Sequence, residues 1–95
     1  MHVGILRFEV LIHGVTSLKG KRRVVRSLIE RLRLRFRVAV AEVDYADQHG
    51  VAAIGVAAVG NDARVLEALL QRVLDAAATD REAELTTHEL EILSP

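Results

Sequence analysis

Apolar side chains recur along this chain with two different periods, and the switches between them mark six elements. Over residues 4–12, Leu6, Phe8, Val10 and Ile12 alternate with Ile5, Arg7, Glu9 and Leu11, the period of two expected of a strand. Gly14 and Thr16-Ser17 break that pattern, and either hydroxyl can cap a following helix. From about Leu18 to Phe36 the period becomes helical: Leu18, Val25, Ile29, Leu32 and Phe36 share one stripe, with Leu28 beside it. Two segments rich in small and β-branched residues follow, RVAVAEVDYAD (37–47) and GVAAIGVAAVG (50–60), with QHG between them as a hairpin turn. GND (60–62) opens a second helix whose apolar face is Val65, Leu66, Leu69, Leu70, Val73 and Leu74. ATDRE (78–82) ends it, and AELTTHELEIL (83–93) alternates again as a last strand.

The order βαββαβ predicts an α+β, ferredoxin-like domain over residues 1–95: a four-stranded, mainly antiparallel sheet with two helices on one face. Leu6, Phe8, Val10, Ile12, Val43, Tyr45, Ile54 and Val56 are expected to face the helices. The opposite face is expected to display Ile5, Arg7, Glu9, Leu11, Val38, Val40, Glu42, Asp44, Ala53, Gly55, Ala57, Glu89 and Glu91. On that open face acids outnumber bases five to one, and the middle is smooth and apolar. It suggests a homodimer formed through the open face or through an edge strand.

Composition narrows the function classes. The chain has no cysteine, which removes thiolate chemistry, disulfides and cysteine-based metal sites, and accords with a reducing cytoplasm. No apolar run is long enough to span a membrane, and MHVGILRFEVLIHG is too short and too charged for a signal peptide. A soluble cytoplasmic protein with no membrane partner is expected. His2, His13, His49 and His88 lack metal-ligand spacing, and Glu42, Asp44 and Asp47 read as charge protection of a sheet edge. Neither GND nor HGVTSLKGK is a nucleotide-binding fingerprint, and the serines lack a His/Asp pattern. No cofactor, metal or catalytic residue is assigned, and a non-enzyme is expected.

Charge changes the picture more. The chain is formally neutral, but its thirteen Lys and Arg are unevenly placed. Nine of them fall in TSLKGKRRVVRSLIERLRLRFR (16–37), which holds a single acid, Glu30. On a wheel of about 100° per residue, Lys19, Arg22, Arg26, Arg33 and Arg37 form a ridge along one flank of the apolar stripe. Lys21 and Arg35 take the other flank, and Arg23 and Arg31 face away from the core.

The start of this helix works against its own stability. Lys19, Lys21, Arg22 and Arg23 occupy the end where the helix dipole disfavours cations by roughly 0.3–1 kcal/mol each. No Glu completes a capping box, and Gly20 costs up to about 1 kcal/mol against Ala. These choices fit a docked anion, because free N–H groups, an unobstructed glycine and nearby cations make a phosphate seat. The competing reading is a solvated amphipathic helix whose basic side chains snorkel over the core edge. The candidate anion or nucleic-acid site is Ser17, Lys19, Gly20, Lys21, Arg22, Arg23, Arg26 and Arg33. Base stacking on the sheet is disfavoured, since the two central strands carry only Phe8, on the core side, and the open face is acidic.

VGILRFEVLIHGVTSLKGKRRVVRSLIERLRLRFRVAVAEVD followed by GVAAVGND resembles the YlxP-like family of small bacterial proteins, domain of unknown function 503. SLKGKRRVV, LRLRF and VAEVD at these spacings are the most specific parts, and the last strand matches by pattern alone. The resemblance implies a ferredoxin-like fold and no established activity. Members often lie beside genes for translation-initiation and ribosome-maturation factors, which implies a role around RNA or ribosomal particles. Two departures stand out: Gly14 where many members have Pro, and ADQHGVAA without the Trp often found in that hairpin. The expected function is an RNA- or ribosome-associated accessory protein that contacts phosphates through its first helix. The alternatives are a small-molecule-sensing regulatory dimer, and an interaction module for an acidic partner.

Overall fold

The computed structural model describes residues 1–95. Its elements follow the predicted order: β1 (His2–Ile12), α1 (Leu18–Phe36), β2 (Ala39–Asp44), β3 (Val51–Gly60), α2 (Ala63–Ala77) and β4 (Ala83–Leu93). All strand pairs are antiparallel, in the sheet order β2-β3-β1-β4, so β2 and β4 are the edges. Both helices cover one face, which gives the ferredoxin-like α+β arrangement.

Side-chain alternation places Leu6, Phe8, Val10 and Ile12 of β1 under the helices, all at or near zero exposure. Ile54 and Val56 of β3 pair across from Phe8 and Leu6 and point the same way. Leu28 and Leu32 of α1 and Leu70, Val73 and Leu74 of α2 close this core. Packing is tight where α2 crosses β1. A Cβ built on Gly4 would lie 2.6 Å from Leu70 Cδ1 and 3.0 Å from Leu66 Cγ, so any side chain there must displace these leucines. Asp62 caps α2, its Oδ1 accepting from the N–H of Arg64 at 2.9 Å.

One strand departs from the expected phase. Val38 and Val40, expected on the open face, are buried in the core at 6% and 5% exposure. Glu42 also turns to the helix side, opposite Ile54. Val43, expected in the core, is 54% exposed. The cause is a bulge between Glu42 and Asp44. Val43 is the extra residue, and beyond it Asp44 returns to the open face opposite Ala53. The alternation therefore changes phase inside β2, and extrapolating it from one end misplaces the other.

Tyr45, also expected in the core, adopts a left-handed conformation with φ of 64°. Such a backbone costs a non-glycine residue roughly 1–2 kcal/mol, and local bonds offset it. Asp44 Oδ1 accepts from Tyr45 N–H at 2.8 Å, and the tyrosine hydroxyl donates to Glu9 Oε2, 3.3 Å away on the open face. Arg7 bridges Glu9 at 2.8 Å and Asp44 at 3.7 Å, spanning Ala53, which is fully buried although it lies on that face. The bond to Glu9 is the main cause holding the Arg7 pKa above the usual arginine value.

Candidate nucleic-acid interface

Helix α1 begins at a conventional cap. Ser17 is extended, and its Oγ accepts from Gly20 N–H at 3.1 Å. The Ser17 carbonyl accepts from Lys21 N–H, the first intrahelical bond. The N–H groups of Leu18 and Lys19 have no backbone or side-chain acceptor. They carry the positive end of the helix dipole to the surface. Gly20 stands close behind the cap, and a Cβ there would touch Ser17 Oγ and Val15 at 3.4 Å.

Long side chains along the outer face of α1 fence an open trough of about 940 Å³, with Ser17 and Gly20 at one end and Glu30 and Arg31 at the other. Six of the eight residues expected at the site line it: Ser17, Lys19, Gly20, Arg22, Arg23 and Arg26. The remaining two do not. Arg33 lies further along, beside a smaller depression of about 280 Å³ shared with Arg22, Arg26, Glu30 and Glu42. There its guanidinium donates to the Val40 carbonyl of β2 at 3.0 Å.

Lys21 is the larger correction. Its side chain is 1% exposed, inside the protein rather than on the ridge. Its Nζ lies 2.9 Å from Glu42 Oε2 and donates to the Tyr45 carbonyl at 2.5 Å. The carboxylate oxygen meets the ammonium off the ideal hydrogen-bond direction and has no other donor, so the contact is an ion pair first. The physical reason lies in the wheel. The buried residues of α1 are Lys21, Val24, Val25, Leu28 and Leu32, a stripe centred closer to Leu28 than the sequence pattern suggested. Position 21 falls on it, and a buried ammonium is tolerated only when paired.

The other cations of the stretch divide by their partners. Arg23 pairs with Glu82 at 3.0 Å, and Arg31 pairs with Asp80, both acids from the turn between α2 and β4. Asp80 also accepts from the N–H groups of Glu82 and Ala83, so it ties that turn to α1. Sequence periodicity gave no signal for these contacts, because the partners are 59 and 49 residues apart in the chain. Arg35 stacks over the neighbouring Phe36 ring at 5.0 Å from its centroid. Arg37 ends the helix in a left-handed conformation, φ 54°, its N–H donating to the Arg33 carbonyl. Lys19, Arg22 and Arg26 take part in no ion pair and are exposed. Lys19 sits at the two free N–H groups, with Arg22 about one turn and Arg26 about two turns further along α1.

The histidines stay apart from this trough. His13 meets Glu84 at 2.7 Å and His2 meets Ser94 at 2.6 Å, while His88, in phase with the core residues, is exposed. No group of three or more His, Asp or Glu side chains is arranged to hold a metal ion. No helix is long and apolar enough to cross a membrane.

Comparison with known proteins places this arrangement in a family. The model of a protein family described as "Protein of unknown function (DUF503)" matches residues 3–90. The chain belongs to this family. It is 35% identical over 72 residues to the uncharacterized protein YlxP of Bacillus subtilis strain 168, covering 76% of this chain and 78% of that relative. Among solved structures it is similar to the de novo designed protein Foldit4, with a TM-score of 0.53, 18% identity, and 99% and 97% of the two chains covered. It is also similar to a mutant form of SnoaB, a cofactor-independent oxygenase from Streptomyces nogalater, with a TM-score of 0.51, 11% identity, and 99% and 92% covered. At these identities the structural likeness concerns the fold alone. The DUF503 family brings no assigned activity to the trough on α1.

Proposed function

We propose that this chain is a non-enzymatic, cytoplasmic accessory protein that associates with RNA or ribosomal particles by gripping phosphates at the start of α1. One observation carries the reading: Lys19, Arg22 and Arg26 are exposed and free of acidic partners along the first three turns of α1, which opens with the two unsatisfied N–H groups of Leu18 and Lys19. Cations and N–H dipoles together repel one another and attract a phosphate oxygen. Arg23 stands beside them but is already neutralised by Glu82, so it contributes less. Lys21 is enclosed and contributes nothing to contact.

Such binding is driven by release of counterions, so it weakens steeply with salt. The test is binding of a structured RNA across a series of salt concentrations. Wild type is expected to bind at low salt with a logarithmic slope that falls by about 1.4–1.8 in the Arg22→Glu/Arg26→Glu variant, at roughly 0.7–0.9 per phosphate contact. No binding at low salt, or indifference to the charge reversal, sinks the proposal. Co-purification from cells with and without nuclease separates an RNA partner from an acidic protein.

A further inference from the structure

The sheet face that the helices leave uncovered divides into two parts. Glu84, Glu89 and Glu91 run down β4, and Glu9 and Asp44 hold Arg7, the one cation on this face. The rest is free of charge. Ile5, Ala39, Ala41, Val43, Gly55 and Ala57 form a continuous apolar floor across β1, β3 and β2, dipping by only about 380 Å³. Five of the eight large apolar side chains exposed on the molecule lie on this face: Ile5, Leu11, Val43, Val59 and Leu93. Gly55 lets the bulged Val43 lie flat across the sheet, since a Cβ there would come within 2.8 Å of Val43 Cγ1.

We propose that this face is the interface of a homodimer, in which a second copy of the chain packs its own open face against it. Three considerations select that occupant. The acidic border repels nucleic acid, and the floor is too flat to enclose a small ligand. Three strands of 10–11 residues and one of six, at about 3.3 Å per residue and about 4.8 Å apart, offer roughly 600 Å² with the acidic strip of β4 included. That approaches the roughly 800 Å² per partner of a standard interface. A two-fold axis sets apolar floor on apolar floor and leaves the glutamates of β4 at a wet rim, the usual anatomy of such contacts.

The edges are poorer candidates. β2 is six residues long, bulged, and has Arg33 bonded to its Val40 carbonyl. Pairing β4 with itself brings its glutamates together. The resulting dimer is a four-layer sandwich, with the two α1 troughs facing outward on opposite sides. It does not depend on what those troughs bind.

Sedimentation velocity of the full chain over a concentration series tests this. Wild type is expected at about twice its 10.5 kDa mass. Ala57→Lys and Ile5→Lys place a charge in the floor at exposed positions, and Lys at position 5 faces Glu91 across the ladder, so the monomer fold is kept. Each is expected to weaken self-association by ~100-fold or more, with an unchanged far-UV circular dichroism spectrum. In hydrogen exchange on wild type, raising the concentration is expected to leave the outward amides of β2 and β4 fast. A wild type that stays monomeric at high concentration overturns the proposal. So does a dimer that both lysine variants leave intact, or one that protects an edge strand.

Discussion

Replacing Lys21 by methionine removes an ammonium and keeps most of the side chain's volume, so the change isolates the buried charge. Two contacts are lost, and they do not cost the same. The Tyr45 carbonyl keeps the N–H of Gln48 as a donor at 3.0 Å, so it is not orphaned. Glu42 Oε2 has no donor but Lys21, and becomes a carboxylate oxygen with no partner. Removing one member of a buried pair costs about 3–5 kcal/mol. The Glu42 side chain retains 22% exposure and can draw in water, which places the expected loss near the lower end, about 3 kcal/mol. For a domain of this size that is a fall in Tm of roughly 12–24 °C.

Removing both charges should recover most of the loss. Lys21→Met/Glu42→Leu leaves no stranded ion, and replacing a whole buried pair by apolar groups is often neutral or better. The expected double variant lies within about 1 kcal/mol of wild type, which makes the coupling between the two sites on the order of 2–3 kcal/mol. Urea unfolding followed by circular dichroism measures all four proteins, provided the m-value stays constant. A loss below about 0.5 kcal/mol for Lys21→Met, or single costs that simply add in the double variant, refutes the reasoning. The same variant bears on binding: once folded, Lys21→Met is expected to keep the wild-type salt slope for RNA, because the residue never reached the surface.

Two further substitutions test the packing around the site. Gly4→Ala drives a methyl into Leu70 and Leu66, both buried, and is expected to cost about 1–3 kcal/mol in thermal unfolding. Asp80→Ala removes the acceptor of two backbone N–H groups and of Arg31, and is expected to cost about 1–3 kcal/mol, with Asp80→Asn recovering part of it by urea titration.

The elements were legible in the sequence because their signals are local. The Thr16-Ser17 pair marks the start of α1, which begins at Leu18 with Ser17 as its cap, and the 3.6-residue period carries it to Phe36. The alternation in β1 is clean because every second residue faces one continuous core. What stayed hidden needs information from elsewhere in the chain. The bulge at Val43 makes a period-two reading of β2 correct on one side and inverted on the other. Lys21 looked like a surface cation because the partner that allows its burial, Glu42, lies on another element. A signal was present: positions 21, 25, 28 and 32 fall on one helical stripe, and reading the stripe by spacing rather than by polarity would have included the lysine.

The pairing of Lys21 also changes what the basic stretch means. Nine cations in 22 residues invite a single explanation, but six of them have structural work. Lys21 neutralises Glu42. Arg23 and Arg31 hold the turn before β4, and Arg33 covers a carbonyl of the edge strand. Arg35 stacks on Phe36, and Arg37 closes the helix at the end where the dipole favours a cation. Lys19, Arg22 and Arg26 are what remains, and they are not scattered over the helix. They gather in its first three turns, and Lys19, in the first of them, stands where the dipole costs a cation up to about 1 kcal/mol. A bound phosphate turns the same repulsion into an attraction, so Lys19→Glu, in the first turn, is expected to raise the stability of the free protein by up to about 1 kcal/mol in urea unfolding while it weakens binding.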